Sequence, residues 1–196
     1  MADIRDRQPS RRRLLHLSAG AAVLLPFAGL VRPGMTRAAT PACGAGDPTP
    51  RQTAGPYFSP GSPQKADFTA DASDGEVMQV SGRVLDTDCR PIAGALLDIW
   101  HADPTGAYDN RGFRMRGHQF ADDAGRYRLT TLRPGLYPGR TRHIHIRVQA
   151  PGGPVLTTQL YFTDEPGNDR DRIFRPDLVM AQAADGGYGF DFVVAK

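Results

Sequence analysis

The chain has little sulfur, little glutamate and almost no helical periodicity. Across 196 residues there are two cysteines and only two glutamates, Glu76 and Glu165. No long stretch keeps an apolar period of 3.6 residues, which excludes helix bundles; Asp171–Gln182 is the one weak helical candidate. No internal repeat is visible, which excludes solenoids and propellers. Neither Cys43 nor Cys89 has another Cys or a His at short spacing, which argues against a thiolate metal site. The uncharged run His16–Val31 is short and interrupted by Gly20, Pro26 and Gly29, a poor membrane span. The length suits one domain with a core of its own.

Charge is unevenly placed. The net formal charge is +3, yet residues 1–41 hold seven arginines against Asp3 and Asp6. Of 24 basic and 21 acidic residues, 17 and 19 therefore remain in 42–196. The body is slightly acidic and carries no nucleic-acid footprint. Ser10-Arg11-Arg12-Arg13-Leu14-Leu15 followed by the uncharged run reads as a twin-arginine-type signal over 1–41, with cleavage near Ala38–Ala42. That implies export to the periplasm or beyond without a stable membrane anchor; an N-terminal anchor is the alternative reading. In an oxidising compartment an isolated Cys43–Cys89 pair reads as a disulfide, two free buried thiols being the alternative.

Residues 41–74 are rich in Pro, Gly, Ser and Thr and read as an irregular arm. Short alternating runs follow, at 77–85, 93–101, 126–130, 143–148, 155–162 and 187–194, separated by frequent turns. The pattern predicts an all-β domain over 42–196, an antiparallel β-sandwich with a long irregular arm and loops.

One of these runs carries the chemistry. His143 and His145 project from one face of an extended chain, while Ile144, Ile146 and Val148 face the other way. Two imidazoles so placed suit a metal. His101 and His118 read as ordinary satisfied histidines. Neither glutamate follows His145 by three or four residues, which argues against a cupin or a two-His, one-carboxylate ferrous site. Phenols are better placed. Tyr137 sits on the turn leading into the His strand, and Tyr108 follows the Trp100 strand. Two phenolates with two imidazoles make a hard, anionic set that favours Fe(III), which must depress each phenol from its ordinary value near 10.

Several motifs together resemble the intradiol ring-cleavage dioxygenases. They are Gln52-Thr-Ala-Gly-Pro-Tyr57, Pro91-Ile-Ala-Gly-Ala95, Asp98-Ile-Trp-His101, Gly106-Ala-Tyr-Asp109, Pro134-Gly-Leu-Tyr137, Arg140-Thr-Arg-His-Ile-His145 and Thr158-Gln-Leu-Tyr-Phe162. The resemblance implies a prealbumin-like sandwich and Fe(III) held by Tyr108 and His143 as an equatorial pair, with Tyr137 and His145 axial. It implies Arg140 and Gln159 as pocket residues, Arg140 stabilising carbanion character on the ring. Thr53, Gly55 and Pro56 would line the pocket. The implied partners are a catechol-type small molecule and O2, with a homo-oligomer left open. Tyr137 would be displaced by the substrate and take a proton, and the ring would open between its two hydroxyls to a muconate-type diacid. Only five residues, Pro138–Arg142, separate the second tyrosine from the first histidine, fewer than in the catabolic members. Substrate identity therefore does not carry over. Rival readings are a non-catalytic prealbumin-like binding module of a secreted protein, or another metal-dependent oxidoreductase.

Overall fold

The computed structural model describes Cys43 and residues 47–196. The expected signal over 1–41 and the expected cleavage region lie outside the described residues. In chain order the strands are β1 (Val77–Leu85), β2 (Leu96–Trp100), β3 (Arg116–Phe120), β4 (Arg126–Leu132), β5 (His143–Gln149), β6 (Val155–Tyr161), β7 (Ala181–Gln182), β8 (Tyr188–Gly189) and β9 (Phe192–Val193). They form two sheets, ordered β4-β1-β8-β7 and β3-β2-β5-β6, with β9 also paired to β1.

The inward side chains of both sheets form one core. From the second sheet come Leu97, Ile99, Ile144, Ile146 and Val148, and from the first Met78, Val80, Val84 and Leu129, all at most 4% exposed. Each such burial stabilises by about 1.5–3 kcal/mol relative to exposure, before the entropy of ordering is counted.

The expected sandwich is present, with three differences in detail. The segment 187–194 reads as one strand but is two, β8 and β9, both running parallel to β1. Between them the Asp191 carboxylate accepts the backbone N–H of Arg83 (2.8 Å), and the Phe190 carbonyl crosses Gly82 so closely that a Cβ there would lie 1.8 Å from its oxygen. Asp171–Gln182 holds no α-helix. Pro176 opens a short 3₁₀ turn, Pro176–Leu178, while the Asp171 side chain turns inward. Strand β3, Arg-Gly-His-Gln-Phe, lacks the apolar alternation by which a strand is recognised.

The arm covers the outer face of the second sheet. Thr49 N–H donates to Val193 O, Gln52 N–H to Thr157 O, Lys65 N–H to His118 O and Phe68 N–H to Thr130 O, each at 2.8–2.9 Å. This track runs across β6 to β3 and on to β4. A disulfide joins Cys43 to Cys89 in the turn after β1, with Cα atoms 5.8 Å apart. Because of the arm, the first four residues of β5 are buried on both faces.

Candidate metal centre

Strand register assembles the site. Arg116 lies opposite Trp100, Trp100 opposite His145, and His145 opposite Gln159; one rung along, His143 lies opposite Tyr161. Directly paired residues share a face, so this is a polar row beneath the arm. The Trp100 indole stacks on the His145 imidazole at 4.9 Å and 4°, fixing its plane. On the other side, Gly55 at φ +65° brings bare backbone against the ring, where a Cβ would stand 3.4 Å from His145 Cε1.

Two loops deliver the phenols, and two glycines let them meet. Gly106, at φ +90°, would place a Cβ 2.2 Å from Leu136 O, and a Cβ on Gly135 would lie 2.3 Å from Gly106 N. Gly135 N–H also donates to Asp103 O (2.8 Å). The Gly-Ala-Tyr and Pro-Gly-Leu-Tyr segments therefore nest, and the Tyr108 and Tyr137 rings meet edge-on at 5.7 Å.

Donor atoms converge. His143 Nδ1–H donates to the Thr141 carbonyl (2.7 Å), leaving Nε2 as the lone pair. That nitrogen lies 3.2 Å from His145 Nε2 and 3.2 Å from Tyr108 Oη. Burial pushes His143 down to about 4, with the Arg140 charge acting the same way, and holds His145 well below the ordinary imidazole value. Both rings are neutral, the form that binds a cation. Burial raises the Tyr108 phenol well above its usual range, so it ionises only beside a new positive charge. Tyr137 engages the hydroxyl of Tyr57 at 2.7 Å, and the Tyr57 ring stacks on Tyr108 at 4.5 Å.

Beside these donors sits a fixed cation. Arg140 Nε donates to Asp171 Oδ2 (2.8 Å) and its Nη2 to Gln159 Oε1 (2.7 Å). Asp171 Oδ2 also accepts Thr141 N–H (3.0 Å), so one buried carboxylate holds both the guanidinium and the backbone leading into His143. Gln159 Nε2 donates to Thr53 O (2.9 Å), and the Tyr161 hydroxyl donates to Gln52 Oε1 (2.7 Å).

The structure thus brings Tyr108, Tyr137, His143, His145, Arg140, Gln159, Thr53 and Gly55 together, while Pro56 stays exposed on the arm. Tyr57 and Asp171 join them unforeseen. Tyr57 ends the Gln-Thr-Ala-Gly-Pro-Tyr motif, a signal that was available. Asp171 has none, lying 31 residues from Arg140. His101 is buried and satisfied, Nδ1–H donating to Ala102 O (2.7 Å) and Nε2 accepting from Thr131 Oγ1 (2.8 Å). His118 Nδ1–H donates to Ser62 O (2.7 Å).

The donor set fits a hard trivalent cation. Among the described residues no three His, Cys, Asp or Glu side chains cluster, so phenols must complete any site built on the two imidazoles. Donors at right angles, each roughly 2 Å from one ion, stand roughly 3 Å apart, close to the 3.2 Å steps linking Tyr108 Oη, His143 Nε2 and His145 Nε2.

The chain is similar to known proteins in sequence and in fold. A family model described as Dioxygenase matches residues 53–185. The chain is 31% identical over 172 residues to a chlorocatechol 1,2-dioxygenase of Pseudomonas sp. (strain P51), covering 72% of this chain and 68% of that protein. It is 33% identical over 147 residues to a hydroxyquinol 1,2-dioxygenase of Rhizobium sp. (strain MTP-10005), covering 61% and 50%. Among solved structures, the dioxygenase domain of a dioxygenase carbohydrate-binding protein fusion from the cellulolytic bacterium Streptomyces sp. SirexAA-E is 52% identical. Its TM-score is 0.72, with 76% of this chain and 99% of that one covered. The chain spans about half to two thirds of these curated relatives' length. With the family model spanning most of the domain, this chain belongs to the intradiol ring-cleavage dioxygenases.

Proposed function

We propose that this protein is an exported, non-haem Fe(III) dioxygenase that opens catechol-type rings between their two hydroxyls with O2, giving muconate-type diacids. The observation that carries the reading is the meeting of Tyr108 Oη, His143 Nε2 and His145 Nε2 within 3.2 Å steps beside a fixed guanidinium. Tyr108, Tyr137, His143 and His145 would hold the iron, which supplies the electrophile that makes a bound catecholate reactive toward O2.

The chain's own groups account for the rest. The Tyr137 oxygen is the expected acceptor of a proton shed by the catechol, and Tyr57, at 2.7 Å, offers the released hydroxyl a hydrogen bond. Arg140 is aimed by Asp171 and Gln159, so its charge is in place where negative charge develops on the ring. Trp100 and Gly55 keep the His145 ring from turning. The arm excludes water from this row, which strengthens each of these interactions. Export is supported by the Cys43–Cys89 disulfide, a bond that persists in oxidising compartments.

The test is optical and respirometric. Iron-loaded protein is expected to be red-brown from tyrosinate-to-iron charge transfer, to shift colour when catechol is added under nitrogen, and to consume O2 when air is admitted. A colourless preparation that binds no iron and stays inactive after loading would replace this reading with the non-catalytic binding module.

A further inference from the structure

A cavity of about 340 Å³ lies beside the site, behind Gln52 and Thr53. These two arm residues separate it from the Arg140 group. Gln52 Oε1 accepts the Tyr161 hydroxyl, and Thr53 O accepts Gln159 Nε2. The other wall is the segment following Asp171. Ile173 O accepts Gln52 Nε2 (2.7 Å), and the Phe174 ring packs edge-on against Tyr161 at 5.1 Å. The cavity and the reacting pocket are therefore neighbours that share one layer of residues.

Its rim is cationic. Arg51, Arg172 and Arg175 all line it, and among the described residues no acid does. Arg175 is paired with Asp177 (2.6 Å). Arg51 gives Nη1 to the Val155 carbonyl (2.8 Å) and has no ionic partner among the described residues. Arg172 has no hydrogen-bonding or ionic partner among the described residues, and all three arginines are exposed. Two unmatched guanidiniums over an apolar floor of Ile173 and Phe174 suit a carboxylate on a short hydrocarbon tether, since the planar fork matches carboxylate geometry.

Resting on the ring-cleavage reading, we propose that this cavity receives the acid group of the substrate, and that the preferred substrates are catechols bearing a carboxylate at the end of a short side chain. A carboxylate fixed directly to the ring would stop at the Arg140–Gln159 layer; a tethered one reaches the arginines when the Gln52 amide releases Tyr161 and Ile173.

The test compares 3-(3,4-dihydroxyphenyl)propanoate, its uncharged methyl ester and catechol on the iron-loaded full chain. Binding is measured by calorimetry under nitrogen and turnover by O2 uptake. The acid is expected to bind about tenfold or more tighter than the ester. Arg51→Gln/Arg172→Gln is expected to bring the acid to the ester's affinity, and Arg172→Gln alone to remove part of the preference. Equal affinities for acid and ester in the wild type, or a preference that survives in the double variant, would overturn the assignment. Acid preference in binding with no O2 uptake from any of the three would leave the cavity standing and remove the ring-cleavage reading. Turnover of all three without preference would do the reverse.

Discussion

The two sheets use similar alternating strands, yet the chain treats their outer faces differently. On β4-β1 the outward residues Gln79, Arg83, Arg126 and Arg128 stand in water. On β2-β5-β6 the outward residues Trp100, His145 and Gln159 are at most 3% exposed. Both faces alternate apolar with polar, but only one polar face is dry, because the arm lies over it. A polar position on a strand is thus no sign of exposure. Gln159 finds partners in Arg140 and the arm backbone, whereas Trp100 Nε1 and His145 Nδ1 have no hydrogen-bond partner among the described residues.

This contrast is sharpest at the imidazoles. His145→Ala is expected to lose most of the bound iron and with it the activity; metal analysis that finds full iron content would take His145 out of the centre. The plain sheet has its own sensitive point at Gly82. Gly82→Ala is expected to destabilise the fold by several kcal/mol, because Phe190 backbone must move to admit the new carbon. A urea midpoint close to wild type would mean that the β8–β9 joint yields freely.

A pair of arginines tests the comparison directly. Arg116 is 1% exposed and donates Nε to Asp109 O (2.9 Å) and Nη1 to Tyr57 O. Arg116→Met strands those carbonyls under the arm and is expected to cost about 3 kcal/mol. Arg126 is exposed and paired with Asp122 (2.8 Å), and Arg126→Met is expected to shift stability by less than about 0.5 kcal/mol. Similar losses at both positions would end the distinction between a dry face and a wet one.

Between the sheets, His101 gives a dependence on acidity. Burial lowers it to about 4, so the folded protein keeps it neutral. The unfolded chain takes up a proton first, near pH 6.5, and this group's stabilisation is full above that value. It is lost as pH falls from 6.5 to about 4 and is flat below, about 3 kcal/mol in all by the size of the shift. Melting curves of wild type and His101→Gln across that window should diverge in slope; parallel curves would clear His101 of the effect.

Much of this architecture was legible from the chain. Alternation located Val77–Leu85 and the His strand, and the tyrosine and histidine spacings pointed to the side chains that now lie together. Strand β3 was hidden because Arg116 is buried by bonds to the Asp109 carbonyl and to the distant Tyr57 carbonyl of the arm, and because Gly117 is required by Lys65 O and the Phe68 ring crossing it. Asp171 was hidden because its partner lies in another loop, and pairwise electrostatics across a fold leave no local pattern. The nesting of Gly106 with Gly135 is intermediate: both glycines stand in recognisable turns, but only the fold reveals that they exist for each other.

Trp100 is the only tryptophan in the chain, and its ring lies flat on the His145 imidazole. The intrinsic emission of this protein therefore reports from one place, a single ring's width from any ion that His145 holds. A paramagnetic ferric ion bound there would darken that emission, so the filling and emptying of the centre can be followed by fluorescence, without label or substrate.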